Sequence, residues 1–137
     1  MDVKECIELL YNLKNLDKKL LDLFEKKIGI SLTRFQIIKH LHESSFSTSK
    51  QISQSLEIDA AATTRHIKIL EKDGYVIKRR NKNNNREVLV ELSEKAFEEI
   101  RRCERETTVQ DIIGNEFTEK DLKDLVNLLN KFNENFK

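Results

Sequence analysis

Two short segments in the middle of the chain carry the side chains best suited to contact a polyanion. The first is Thr64-Arg65 with Lys68 one helical turn later, and the second is the basic, Asn-rich run from Arg79 to Arg86. Arginine offers a planar fork of donors that matches a phosphate or the edge of a guanine base. Residues 59–86 hold eight Lys and Arg against three acidic residues, a net +5, whereas the rest of the chain sums to −4. This distribution is typical of a nucleic-acid-binding surface, although charge alone also fits a solvated face.

The spacing of apolar and capping residues predicts the elements that hold these segments. Thr48 caps one short helix and Asp59 caps the next, which carries the Thr64-Arg65 segment. Gly74 ends that second helix, and alternating apolar residues then predict two strands joined by an exposed hairpin tip over residues 79–86. Two helices and a hairpin in this order predict a winged helix-turn-helix, in which the second helix presents its first turns to base edges.

Longer helices flank this middle region. Apolar residues at three- and four-residue steps predict one helix over residues 2–27 and another from a Ser93 cap to about Ile113. Thr33 with Gln36 predicts a capping box at the start of the helix that follows the first. A final apolar helix begins after a cap at Thr118.

The flanking helices carry more apolar surface than a small winged core can cover, which predicts a homodimer. The expected fold class is therefore mainly α with a small β-hairpin, a winged helix-turn-helix with N- and C-terminal dimerisation helices. We expect residues 1–137 to form a single domain. Within it, residues 1–30 and 97–137 form the dimerisation helices, and residues 32–96 form the DNA-binding lobe.

The stretch from Asp59 to Leu92, with the residues just after it, resembles the multiple-antibiotic-resistance regulator (MarR) family. The residues that carry the resemblance are Thr64-Arg65, Leu70-Glu71-Lys72-Asp73-Gly74-Tyr75-Val76, Arg79, the Asn-rich turn, Arg86 and Val88-Leu89-Val90-Glu91-Leu92-Ser93-Glu94-Lys95-Ala96. The resemblance implies homodimers with intertwined terminal helices, a recognition helix in each major groove and a wing arginine, here Arg86, in the flanking minor groove. The family usually has an Asp before that arginine. Asn84 stands there, which can accept a hydrogen bond but gives no charge pairing.

These observations predict a sequence-specific DNA-binding transcriptional regulator, a repressor that binds a pseudo-palindromic operator as a homodimer. Its expected contacts to double-stranded DNA lie at the start of the short helix, along the recognition helix and in the hairpin. They are Thr48, Ser49, Ala60, Ala61, Thr63, Thr64, Arg65, Lys68, Arg79, Lys82, Asn84 and Arg86. Two alternatives stay open: a winged helix that binds another protein, and a regulator that senses oxidants through a cysteine.

The cysteines and histidines give weaker signals than the basic segments. Cys6 and Cys103 lack a CxxC partner, and no cation is placed to activate Cys6. His40 and His42 are two residues apart and would point to different faces of a helix, so we expect neither a metal nor a cofactor. No nucleophile–base pair or glycine-rich loop suggests an enzyme. The family resemblance allows a small aromatic effector as a further partner. Without a signal segment or a membrane span, the expected location is cytoplasmic.

Overall fold

The computed structural model describes residues 1–137, apart from the side chain of Asn85. In chain order the elements are α1 (Val3–Ile28), α2 (Leu32–Ser44), β1 (Phe46–Ser47), α3 (Ser49–Leu56), α4 (Ala60–Lys72), β2 (Val76–Asn81), β3 (Asn84–Leu92), α5 (Glu94–Glu106), α6 (Val109–Ile113) and α7 (Glu119–Asn135). Internal contacts divide the chain into two compact units, Met1–Glu106 and Thr107–Lys137. Of the helices described, none is both long enough and apolar enough to cross a membrane. The predicted class, mainly α with a small β element, is confirmed.

Helices α2, α3 and α4 and the sheet share one apolar core in the first unit. Each helix places residues three or four apart against this core, so that one side is buried and the other is left to solvent. The sheet has the order β1-β3-β2 and contributes apolar residues from one face. The most deeply buried core residues are Ile37, Ile38, Leu41, Ile52, Ile67, Leu70, Val76, Val90 and Ala96.

Three helix starts follow the predicted caps. The Thr48 hydroxyl accepts a hydrogen bond from the N–H of Gln51, whose side-chain oxygen accepts one from the N–H of Thr48. Asp59 accepts a bond from the N–H of Ala62 at the start of α4. Thr118 caps α7 in the same reciprocal manner as Thr48 caps α3. These bonds satisfy backbone donors that have no partner inside the helix, which explains why the chain turns into a helix at these points.

Helix α2 begins one residue before Thr33, so the predicted capping box of Thr33 with Gln36 is wrong. The cap is Ser31, whose hydroxyl accepts from the backbone N–H three residues further on at 3.2 Å. Packing explains why the cap is Ser31 and not Thr33, because Ile30 is buried in the core and Phe35 packs against the same core. These two residues stand at the two positions of a hydrophobic staple around a Ser31 cap.

The single helix predicted from Ser93 to Ile113 is two helices, α5 and α6. Thr108 has an extended backbone between them, and its hydroxyl accepts from the N–H of Asp111 while that carboxylate accepts from the N–H of Thr108. This reciprocal cap starts a new helix, and the β-branched pair Thr107-Thr108 has weak propensity to continue the old one. The break coincides with the boundary between the two compact units.

The hairpin tip is shorter than the predicted span of residues 79–86. Strands β2 and β3 pair antiparallel from Val76↔Leu92 to Arg80↔Val88, and an irregularity follows before Asn81↔Asn84. Only residues 82–83 form the turn. Most of the basic run therefore lies on strands, where alternation decides which way each side chain points.

Candidate nucleic-acid interface

Helix α4 has a buried side and a solvent side, and they divide the predicted contacts. Thr63 is fully buried with Ile67 and Leu70, and its hydroxyl donates to the carbonyl of Asp59 at 3.0 Å. We therefore remove Thr63 from the predicted DNA contacts, because its side chain lies inside the domain. The structure does bring the other predicted residues of this helix together on the exposed side. They are Ala60, Ala61, Thr64, Arg65 and Lys68.

The solvent side of α4 carries small side chains and basic residues that form no ion pair with the residues the structure describes. Ala60 and Ala61 present only methyl groups at the helix start, so a bound groove could approach the backbone closely. The Thr64 hydroxyl donates to the carbonyl of Ala60 at 3.1 Å. Arg65 and Lys68 are exposed, and neither forms an ion pair with any residue the structure describes. Their donors remain available to an external acceptor.

Strand alternation sorts the basic residues of the wing onto two faces. Residues paired directly across an antiparallel ladder share a face, and one face of β2 and β3 carries the core residues Val76 and Val90. Residues of that inner face line a groove together with residues of α3 and α4. Lys78 and Arg80 lie on it, whereas Arg79 lies on the outer face.

Lys78 was missed by the sequence reasoning, which treated only the following residues as part of the basic hairpin. It lines a groove with Ser49 of α3 and Thr64 of α4, so the wing, α3 and α4 meet there. Its Nζ lies 3.5 Å from a carboxylate oxygen of Glu71, and both side chains are partly exposed. Such an exposed pair is weak and leaves the ammonium able to exchange its partner. Alternation counted outward from the buried Val76 could have identified this residue.

Arg79 and Lys82 differ from the other predicted wing contacts in position. The Arg79 guanidinium is 3.2 Å from a carboxylate oxygen of Glu91 and 5.4 Å from the centre of the Phe46 ring. These contacts hold it on the outer face, away from α4, and we therefore remove Arg79 from the candidate interface. Lys82 lies exposed in the turn at the tip.

Arg86 lies beside the start of α3. A concavity there is lined by Thr48, Ser49 and Lys50 on one side and by Asn84 and Arg86 on the other. The side-chain oxygen of Asn84 accepts from the backbone N–H of Arg86 at 3.1 Å, so Asn84 orders the chain and does not hold the guanidinium. Within the described chain, Arg86 and Lys50 form no ion pair. Lys50 was also missed, although its place directly after Ser49 was a usable signal.

His66 lies on the flank of α4 that faces α2. Its Nδ1 is 3.5 Å from a guanidinium nitrogen of Arg34. The other terminal nitrogen of that guanidinium is 3.5 Å from a carboxylate oxygen of Glu25. Partial burial, followed by repulsion from Arg34 and Arg65, lowers the pKa of the His66 imidazole. A neutral ring can accept the hydrogen bond that Arg34 donates. His66 therefore belongs to the contact between α2 and α4 and not to the exposed basic side.

Comparisons with known proteins agree with this geometry. A profile of the MarR family matches residues 30–88. The HTH-type transcriptional regulator YdgJ of Bacillus subtilis (strain 168), a protein itself described as uncharacterized, is 33% identical over 113 residues. The match covers 81% of this chain and 69% of that protein.

Two solved structures share the fold over nearly their whole length. A mutant of MarR from E. coli complexed with operator DNA matches with a TM-score of 0.80 at 23% identity, over 96% of this chain and 99% of that one. A MarR-like transcription regulator from Bacillus cereus ATCC 10987 matches with a TM-score of 0.80 at 24% identity, over 98% and 99%. These likenesses confirm the winged helix-turn-helix fold. Together with the family profile and the Bacillus subtilis relative, they lead to one assignment: this chain belongs to the MarR family of transcriptional regulators.

Proposed function

We propose that this protein is a repressor that binds a pseudo-palindromic DNA operator as a homodimer. The observation that carries the proposal is one continuous basic surface, formed by the exposed side of α4, the start of α3 and the inner face of the wing. On this surface Arg65, Lys68, Lys50 and Arg86 form no ion pair with the described residues. Cations of this kind bind DNA by displacing the counterions condensed on its phosphates.

Each element of the surface has a separate role in the proposal. Helix α4 enters the major groove, where Arg65 donates to a guanine and the methyl groups of Ala60, Ala61 and Thr64 meet thymine methyls. The start of α3 contributes backbone N–H groups to a phosphate. The wing contributes Arg86 to the flanking minor groove. The MarR mutant from E. coli, which shares this fold and is complexed with operator DNA, supports the proposal that this fold binds an operator.

The proposed contact set differs in four residues from the set that the sequence predicts. Thr63 is removed because it is buried, and Arg79 is removed because it lies on the outer face of the wing. Lys50 and Lys78 are added because they line the grooves that join the wing to α3 and α4. The revised set is Thr48, Ser49, Lys50, Ala60, Ala61, Thr64, Arg65, Lys68, Lys78, Lys82, Asn84 and Arg86.

Exposed apolar stripes support the homodimer. On α1 the exposed residues recur at helical spacing as Val3, Ile7, Leu10, Leu13, Leu16 and Leu20. On α7 they recur as Leu125, Val126, Leu129 and Phe132, and Phe136 follows directly after the helix. Monomers rarely leave stripes of this length to water, and a second copy of the same chain would cover them. In the proposal residues 1–30 and 97–137 form this interface, and residues 32–96 form the DNA-binding lobe of a single functional domain.

A two-fold dimer places its two recognition helices about one DNA turn apart, roughly 34–36 Å. Bound across an operator, such a dimer represses by excluding the transcription machinery from the same DNA. The protein would then act where the chromosome is, in the cytoplasm. The family adds a small aromatic effector to the proposal, and the proposed activity requires no catalytic chemistry.

A selection from a pool of random DNA duplexes tests this function. The purified protein should enrich an inverted repeat whose half-site centres are about 10 base pairs apart, because two-fold symmetry of the dimer imposes it on the site. A reporter placed behind the enriched site should be repressed by the wild-type protein and not by Arg65→Ala. A pool without an enriched sequence would contradict DNA recognition, and a reporter that rises with the wild-type protein would contradict repression.

A further inference from the structure

The turn that follows α4 is bound directly to the start of α5. The N–H of Ser93 donates to the carbonyl of Tyr75 at 3.0 Å, and the Ser93 hydroxyl donates to the carbonyl of Gly74 at 2.5 Å. The Lys95 ammonium donates to the carbonyl of Asp73 at 2.7 Å. Three successive carbonyls of the turn are thus satisfied by two residues at the start of α5. We refer to Asp73, Gly74, Tyr75, Ser93 and Lys95 as the α4–α5 junction.

Lys95 makes two further contacts in the junction. Its Nζ lies 4.6 Å from the centre of the Tyr75 ring, within the range of a cation–π interaction. A Cβ atom at Gly74 would meet Cδ of Lys95 at 3.6 Å, so the lysine stem passes close over the turn. The ammonium also sits at the carboxyl end of α4, where the helix dipole favours a positive charge.

Both halves of the basic surface start from this junction. Helix α4 ends at Lys72 and strand β2 begins at Val76, so the turn between them sets the direction of the recognition helix and of the wing together. Helix α5 leads away on the other side. A bond from α5 to this turn therefore fixes both DNA-contacting elements relative to α5.

We propose that Lys95 is a positioning residue for DNA recognition, which holds α4 and the wing at one orientation to α5 through the α4–α5 junction. This inference rests on the proposed function. Lys95 lies beside the carboxyl end of α4, whereas the proposed base contacts come from the amino-terminal turns of that helix. That helix has 13 residues, so its two ends are roughly 20 Å apart.

The dependence of affinity on salt separates positioning from phosphate binding. When a variant loses one phosphate contact, the slope of log K against log salt becomes shallower by about 0.9. We would measure operator affinity by fluorescence anisotropy over a salt series for the wild type, Lys95→Met and Lys95→Arg. The control is Lys39→Met, which removes the same charge from the exposed side of α2, outside both the proposed contact set and the proposed dimer interface.

Lys95→Met should weaken binding between about twofold and thirtyfold at an unchanged salt slope, because only the orientation is loosened. Lys95→Arg, which keeps the cation and the donor, should restore most of the affinity, and Lys39→Met should match the wild type. Equal affinity of Lys95→Met and Lys39→Met would overturn the proposal. A shallower salt slope for Lys95→Met would also overturn it, since that result identifies a phosphate contact.

A proton NMR measurement on the free protein tests the junction independently of DNA. The ring of Tyr75 should shift the ε-methylene protons of Lys95 upfield, and Tyr75→Leu should abolish that shift. An unshifted lysine would overturn the junction. Wild-type protein without any preference for an operator would overturn the proposed function and the positioning role together. A normal operator preference combined with an unaffected Lys95→Met would overturn the positioning role alone.

Discussion

Two wing arginines in the same hairpin differ in what they can contact. Arg86 is exposed beside the start of α3 and has no ion-pair partner among the described side chains. Arg79 lies on the opposite face, where Glu91 and the ring of Phe46 hold it. The difference arises because successive side chains of a strand point to opposite faces of the sheet, and not from the type of residue.

Arg86→Gln and Arg79→Gln form a matched pair of variants, because each replaces one guanidinium with a neutral amide. Arg86→Gln should weaken operator binding and make the salt slope shallower by about 0.9 per subunit if its charge displaces one counterion. Arg79→Gln should leave the slope at the wild-type value. Both can be compared by anisotropy over one salt series. Equal effects of the two substitutions would contradict the assignment of faces.

His66 makes stability depend on pH. Its pKa is lowered in the folded protein from the ordinary 6.5, first by burial and then by Arg34 and Arg65. Well above pH 6.5 the ring is neutral in both the folded and the unfolded state, so its titration does not alter stability there. As the pH falls through 6.5, the unfolded chain binds the proton first, so stability drops until the lower folded pKa is reached.

His66→Gln should therefore lose less thermal stability than the wild type between about pH 7.5 and about pH 5.5. His40 and His42 remain in both proteins, so the difference isolates His66. Thermal unfolding followed by circular dichroism at the two pH values measures it. A drop in Tm that is the same for both proteins would show that the ring is not desolvated.

At the scale of single elements, helix α1 ends because Gly29 adopts a left-handed backbone with φ 91° and donates its N–H to the carbonyl of Glu25. A Cβ at this position would meet no atom within 4 Å. Gly29→Ala should therefore destabilise the protein through backbone strain alone, by about 1–2 kcal/mol. Gly29→Asn should cost less, since Asn tolerates this conformation. Chemical denaturation measures both, and an Ala variant as stable as the Asn variant would contradict this explanation.

Local sequence predicted those elements whose signals lie entirely within a few residues. The caps at Thr48 and Thr118 could be predicted because the signals for each stand close to the cap in the sequence. The start of α2 could not, because Ser31 and Thr33 both suit a cap. The burial of Ile30 in the tertiary core decided between them. Strand β1 has two residues, too few to show any alternation.

The candidate site was predicted in the same uneven way. The exposed residues of α4 followed from the motif, but Thr63 was included although it stands four residues before Ile67 on the buried side. The predicted tip covers residues 79–86 and so includes Arg79 but not Lys78, and neither residue is assigned to a face of a strand. Both errors concern orientation on an element, which depends on counting from a buried neighbour.

At the scale of the whole molecule, the apolar stripe of α7 predicts how the protein assembles. Leu129→Glu would place a charge in the proposed dimer interface, which is strongly unfavourable without a partner. We expect light scattering to give twice the chain mass of 16.2 kDa for the wild type and a shift toward a single chain for this variant. Asn127→Glu, on the polar side of α7, is the control. A variant that stays as large as the wild type would place the interface elsewhere.

The central claim is that an exposed basic surface reads one DNA sequence, and competition binding tests it most directly. Fluorescence anisotropy would compare a labelled duplex that carries the selected inverted repeat with a scrambled duplex of equal length and composition. The account predicts a dissociation constant between about 10⁻⁸ and 10⁻¹¹ M at physiological salt, at least about a thousandfold tighter than for the scrambled duplex. Arg65→Ala should bring the two affinities closer together. Equal affinity of the wild-type protein for the two duplexes would contradict the account.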